Sequence, residues 1–355
     1  MFLRTLYLHN FRCYQEAFFE FCPGINTICG ANAQGKTSLL EAIYLLIAGK
    51  SFRTSQVSDL TRLGTNNFFI EASFVKHGIE QQLRISCNGK ERKIFHNHNL
   101  CPSSSLLGLL RGVVITPDDA ALVKGSPLVR RHFLDLQIAQ IDPLYVHHLG
   151  RYNRALRQRN ALLRAKSHAT LDSWEFEMAT SAAYLTMQRS LAVQDLEKSG
   201  RRLHKILSGE GEEMQLVYKN GAPLNAGLTV LRTHFLEQFQ KLRYREMILG
   251  ATLSGPQKDD LTVAIAEKEV RFFASEGQQR SCVAALRFAE WERLNELGSE
   301  APLMLIDDVG VSLDSSRKDK LLTHIQSLGQ VFLTATQEMT FTTSLDKEML
   351  VIPIV

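Results

Sequence analysis

Short apolar runs separated by polar turns fill the first third of the chain. Runs such as Phe68–Val75 and Gln82–Ser86 alternate with Gly- and Asn-containing turns, which reads as a strand-rich region. From Leu128 to about Gly209 the spacing becomes helical, broken at Asp142-Pro143 and again over residues 167–173, where polar residues cluster. This predicts two or three helices folded into an antiparallel, arm-like hairpin. A mixed stretch follows: a strand at Met214–Tyr218, a helix from about Thr229 to Leu249, strands near Leu261–Ala266 and Glu269–Phe273, and a helix from Ser275 to about Leu297. Leu303–Ile306 and Gln330–Thr334 are near-continuous apolar runs of the kind found in parallel sheets covered on both faces. The pattern predicts an α/β protein in three parts, residues 1–125, 126–210 and 211–355. The middle part is a helical insertion, so the two ends of the chain must meet to finish one core.

Between a short strand, Gly24–Cys29, and an apolar helix, Ser38–Leu46, the segment Gly30-Ala31-Asn32-Ala33-Gln34-Gly35-Lys36-Thr37 fills every position of the phosphate-loop pattern G-x-x-x-x-G-K-[ST]. Glycines let the backbone form a nest of N–H groups for phosphate oxygens, and the helix opening at Lys36, Thr37 and Ser38 adds its positive dipole end. Lys36 is expected to bridge the β- and γ-phosphates of ATP and Thr37 to hold Mg²⁺ through its hydroxyl. After the buried strand ending at Ile306 come Asp307 and Asp308. Asp307 is placed to coordinate Mg²⁺, and Asp308 to orient or deprotonate the attacking water. Ser275 and Gln278 form a helix capping box. Gly277, in the same first turn, leaves room for a bulky anion at the positive end of the helix.

Composition narrows the setting. With 355 residues, 45% apolar and 22% charged, the chain is long enough for a core and a second lobe and ordinary for a soluble protein. Six scattered cysteines without zinc spacing read as reduced thiols, and no apolar run approaches the length of a membrane span, so a cytoplasmic location is expected. The histidines at 96, 98, 147 and 148 lack metal spacing. A net charge of +4 does not by itself indicate a nucleic-acid partner. Its distribution is more informative. Residues 151–166 hold Arg151, Arg154, Arg157, Arg159, Arg164 and Lys166 and no acid, so the run is either a solvated helix face or a set of DNA phosphate contacts; Arg151, Arg154, Arg157 and Arg159 are the DNA-binding candidates.

The order of phosphate loop, helical insertion, Ser-x-Gly-Gln, Asp-Asp and Val311-Ser312-Leu313-Asp314 resembles the ABC-type ATPase heads of SMC-like proteins, and more closely the RecF family. Leu8–Arg12, Ser51–Thr54, Pro117–Asp119, Lys124–Pro127, Arg130–Asp135, Gln158–Asn160 and Gly277–Arg280 carry that similarity along almost the whole chain. The resemblance implies an ATPase head assembled from the N- and C-terminal parts, with the helical arm as a second lobe. It implies that Ser275 and Gly277 touch the γ-phosphate of ATP held by a second copy, with Asp314 at the same contact. Two ATP molecules would then join a homodimer that closes on single- and double-stranded DNA at gapped junctions and assists RecA loading beside RecR and RecO, with slow DNA-stimulated hydrolysis acting as a timer. Gly255-Pro256-Gln257-Lys258-Asp259-Asp260 departs from the family's usual Gly-Pro-His-Arg-Asp-Asp, and the γ-phosphate sensor is open between Thr334 and Thr336. The alternatives are a subunit of another ABC-type machine, such as a transporter motor, and a small-molecule kinase.

Overall fold

The computed structural model describes residues 1–89, 91–208, 213–224, 227–308, 320, 322–336 and 348–354. Two compact units divide the chain: Met1–Asp119, Leu203–Gly211 and Glu276–Val355 form the first, Ala120–Arg202 and Glu212–Ser275 the second. The first opens with β1 (Phe2–Phe11), β2 (Tyr14–Glu20), β3 (Ile25–Cys29), α1 (Lys36–Ala48), β4 (Asn67–Lys76), β5 (Ile79–Asn88), β6 (Glu91–His96), β7 (Asn99–Cys101) and β8 (Gly112–Ile115). Next come α2 (Ala121–Lys124), α3 (Pro127–Ala139), α4 (Pro143–Arg164), α5 (Leu171–Ser208), β9 (Met214–Lys219), α6 (Gly227–Leu249), β10 (Asp260–Ile265), β11 (Lys268–Glu269) and α7 (Val270–Phe273). The chain closes with α8 (Glu276–Leu297), β12 (Leu303–Ile306), β13 (Val331–Ala335) and β14 (Met349–Pro353).

Two sheets build the first unit. The parallel one has the order β14-β3-β13-β12-β8, and every residue of β3, β12 and β13 is buried, as a sheet covered on both faces requires. β3 pairs with β13 on one side and β14 on the other, so strands from opposite ends of the chain do complete one sheet. Gln330 helps hold them. Its amide donates to Leu3 O and Cys22 O, both at 2.8 Å, and accepts from Leu3 N at 2.7 Å. The other sheet is antiparallel, ordered β2-β1-β4-β5-β6-β7, and alternate residues such as Phe68, Ile70, Ala72 and Phe74 are buried, which puts one face on the core.

The second unit contains the helical arm. Along α4 and α5, His148 meets Ser181, Arg151 meets Glu177 and Arg159 meets Glu175, so the two helices run antiparallel. Residues 212–275 group with this arm because β10 packs against α3 and α6 against α4. The strand expected over Glu269–Phe273 is a correction: strand pairing ends at Glu269, and a helical turn takes Val270–Phe273. Phe272 and Phe273 are 67% and 70% exposed, and two successive outward rings do not fit the alternation of a strand. All six cysteines are free thiols. Among the described residues no helix is long and apolar enough to cross a membrane.

Candidate nucleotide-binding site

β3 delivers the chain into the loop beginning at Gly30, and α1 leaves it at Lys36. Ala33 and Gly35 take left-handed conformations, φ 67° and 109°, which is how a short loop turns consecutive N–H groups toward one anion. A Cβ on Gly35 would lie 2.6 Å from Cys13 Sγ and 2.9 Å from the Tyr14 hydroxyl; one on Gly30 would lie 2.5 Å from Ile354 O. Side chains are excluded at both positions. Tyr14 donates to Gly35 O at 3.1 Å, and Lys36 Nζ donates to Gly30 O and Ala31 O, both at 2.8 Å.

Sheet pairing brings Asp307, from the C-terminal part of the chain, to this loop. Asp307 N donates to Ile115 O at 2.8 Å at the end of β12, and Asp307 Oδ1 accepts from Thr37 Oγ1 at 3.0 Å and Thr334 Oγ1 at 2.8 Å. Asp308, at φ 58°, donates its N–H to Thr334 Oγ1 at 2.7 Å. Burial pushes the Asp307 carboxyl above its ordinary range, while the bonds from Thr334 and Thr37 pull the other way. A hydroxyl and a carboxylate oxygen 3.0 Å apart beside a phosphate loop are the hard donors that Mg²⁺ takes from protein, the rest of its shell being water and phosphate. The residues fit that ion.

One arrangement behind the loop was not foreseen. Glu41, fully buried in α1, accepts from Arg12 Nε at 2.8 Å and Nη2 at 2.6 Å and from the Ser51 hydroxyl, with Arg53 Nη1 3.6 Å away. The signal was present: an acid inside an apolar helix needs a partner. Leu8–Arg12 and Ser51–Thr54 supply it through Arg12, Ser51 and Arg53.

Ser275 directly precedes α8, and Gly277 and Gln278 lie in its first turn. Asp314 and the segment Val309–Ser312 fall outside the described residues. Among the DNA-binding candidates Arg154 and Arg157 are exposed, and Arg151 is held by Glu177 at 2.6 Å. Arg159 is a correction. It lines up with buried Tyr152, Ala155 and Leu163 and is itself fully buried, donating to Glu175 at 2.9 Å, Glu246 at 2.6 Å, Thr252 Oγ1 at 2.8 Å and Phe239 O at 3.1 Å. No DNA strand reaches a side chain so enclosed.

The RecF/RecN/SMC N terminal domain matches residues 2–353. The DNA replication and repair protein RecF of Protochlamydia amoebophila is 55% identical over 338 residues, 95% of this chain and 94% of that protein. The chain belongs to the RecF family. RecF of Symbiobacterium thermophilum is 36% identical over 95% of this chain and 92% of its own length. A solved structure of the recombination mediator protein RecF with ATP, in the RecFOR pathway, is similar at a TM-score of 0.89 with 28% identity, covering 97% of this chain and 94% of the other. An Smc head bound to the C-winged helix domain of ScpA, 16% identical with a TM-score of 0.56, shares the fold.

The motif that departs from the usual RecF sequence lies in the second unit. Gln257 Oε1 accepts from the Tyr152 hydroxyl, and its amide donates to Ser254 O at 2.9 Å. Asp259 receives the Tyr218 hydroxyl at 2.5 Å and Arg189 at 3.2 Å, and Asp260 pairs with Arg130 at 2.7 Å. The two aspartates are thus tied to arginines of α5 and α3. Among the described residues, no three His, Cys, Asp or Glu side chains gather as a metal site.

Proposed function

We propose that this RecF-family chain is an ATP-switched DNA-binding protein of recombinational repair and replication restart. The observation that carries the reading is the 3.0 Å contact between Thr37 and Asp307, residues 270 apart in sequence, at the mouth of the phosphate loop. Its similarity to a solved RecF with ATP supports the same nucleotide here. The loop amides from Gly30 to Ser38 bind the phosphates, Lys36 supplies a point charge between the β and γ groups, and Thr37 and Asp307 hold Mg²⁺. When bound, Mg²⁺ neutralises charge on those phosphate oxygens. Asp308, fixed through its N–H by Thr334, orients or deprotonates the attacking water. Ser275, Gly277 and Gln278 offer the N-terminal end of α8 to the γ-phosphate of ATP on a second copy, with Asp314 at the same contact. Two nucleotides then join two chains around DNA, single- or double-stranded at a gapped junction, and hydrolysis releases it. Exposed Arg154 and Arg157 supply phosphate contacts, RecR, RecO and RecA are the pathway partners, and the protein works in the cytoplasm.

Turnover of ATP with and without gapped DNA tests this, in the wild type and in Lys36→Ala. DNA should raise wild-type turnover. Losing the charged hydrogen bonds of Lys36 should weaken ATP binding about 10- to 150-fold and remove turnover. Turnover indifferent to DNA would sink the switch; turnover kept by the Ala variant would sink the loop assignment.

A further inference from the structure

The outer face of α6 carries a pattern that the nucleotide site does not use. Helical spacing sets Lys241, Tyr244, Arg245 and Ile248 beside one another. All four are exposed, Tyr244 by 80% and Ile248 by 67%, while Leu231, Phe235, Phe239 and Glu246 of the same helix are buried. Arg243 is held by Asp172 and by Glu175 at 2.5 Å, whereas Lys241 and Arg245 are left to the solvent side. One exposed acid, Glu237, lies a turn before Lys241. α4 packs alongside with no acid in its sequence and with Arg154, Arg157 and Arg164 exposed. The stem of Arg164 lies over Gly250, the residue after α6, where a Cβ would come 2.8 Å from Arg164 Cγ. Arg164, at the end of α4, therefore lies beside the end of α6.

An exposed ring flanked by cations meets the two needs of an unpaired strand: a face for a base and charge for the phosphates on either side. A duplex uses only the charge, because its bases are already stacked. We propose that the outer face of α6 binds a single-stranded DNA segment, with Tyr244 stacking on a base and Lys241, Arg245 and Arg164 holding neighbouring phosphates. The inference rests on the DNA-binding reading above and adds the residue that distinguishes an unpaired strand from a duplex.

Fluorescence anisotropy on the full chain with Mg²⁺ and ATP tests it, using a labelled oligothymidylate and a blunt duplex of equal length. Tyr244→Ala should weaken strand binding on the order of 10-fold and leave duplex binding unchanged, and Tyr244→Phe, which keeps the ring, should bind the strand like the wild type. Arg154→Glu with Arg157→Glu should weaken both ligands. Strand affinity unchanged in Tyr244→Ala overturns the proposal while a weakened arginine variant leaves the DNA reading standing. Wild-type protein that binds neither ligand overturns both. If Tyr244→Ala abolishes a self-association seen by sedimentation and leaves strand affinity intact, the face is a protein contact and the proposal fails.

Discussion

Thr334 holds both aspartates that follow β12, Asp307 by its carboxylate and Asp308 by its backbone N–H. Its single proton goes to Asp307 and its oxygen accepts the Asp308 N–H, and at 1% exposure the side chain has no remaining role toward a phosphate. Of the two threonines open as γ-phosphate sensors, this leaves Thr336, exposed directly after β13, as the candidate. Thr334→Val keeps the shape and deletes both bonds. Burial already raises the Asp307 carboxyl, and the Thr334 bond is one of the contacts that offset it, so the Val variant should raise it further. The sign follows: as pH falls, a carboxyl with a raised pKa takes up its proton earlier, and the protonated form binds Mg²⁺ poorly. Binding of the Mg²⁺ complex of ATP, followed by calorimetry from about pH 8 down to 5, should therefore fail at higher pH in Thr334→Val than in the wild type. Coincident acid limbs would show that Thr334 does not tune Asp307.

Helices and strands were largely legible where the signal was local. The buried runs at Ile25–Cys29, Leu303–Ile306 and Val331–Ala335 announce covered strands, and the breaks at Asp142-Pro143 and residues 167–173 separate α3, α4 and α5. What failed in α4 depended on distant partners. The basic run of α4 was visible, but Arg159 is drawn inward by Glu175 and Glu246, 16 and 87 residues away, and no local spacing connects the three. Thr334 reaches Asp307 only because β13 pairs with β12, and the Phe272-Phe273 pair imitates a strand that a helical turn replaces. Burial makes the arginine a structural element with a measurable cost. Arg159→Ala takes the cation from buried Glu246 and leaves Glu175 to Arg243, and should destabilise the protein by about 3–5 kcal/mol. Exposed Arg157→Ala should stay within about 0.5 kcal/mol. Urea unfolding compares them, and equal midpoints would mean that the buried network contributes nothing beyond its surface counterpart.

Across the whole molecule, the candidate nucleotide site is assembled from opposite ends of the chain, since β3, which leads into the phosphate loop, lies between β13 and β14 while β12 brings Asp307. A second copy is the remaining requirement of the proposed cycle, and Ser275 separates that requirement from ordinary helix capping. If Ser275 only caps α8, Ser275→Asp should be tolerated, because Asp caps as well and its charge suits the positive helix end. If the γ-phosphate of a partner's ATP sits against that end, the new carboxylate opposes it. Two like charges about 4 Å apart at an interfacial effective dielectric near 20 repel by about 4 kcal/mol, enough to weaken association by roughly three orders of magnitude. Ser275→Asp should fold and bind ATP as a monomer but lose the ATP-dependent dimer in sedimentation, while Ser275→Asn, an equally good cap without the charge, should retain much of it. A dimer of wild-type strength in the Asp variant would leave capping as the role of Ser275 and remove the contact between one chain's α8 and the other chain's nucleotide.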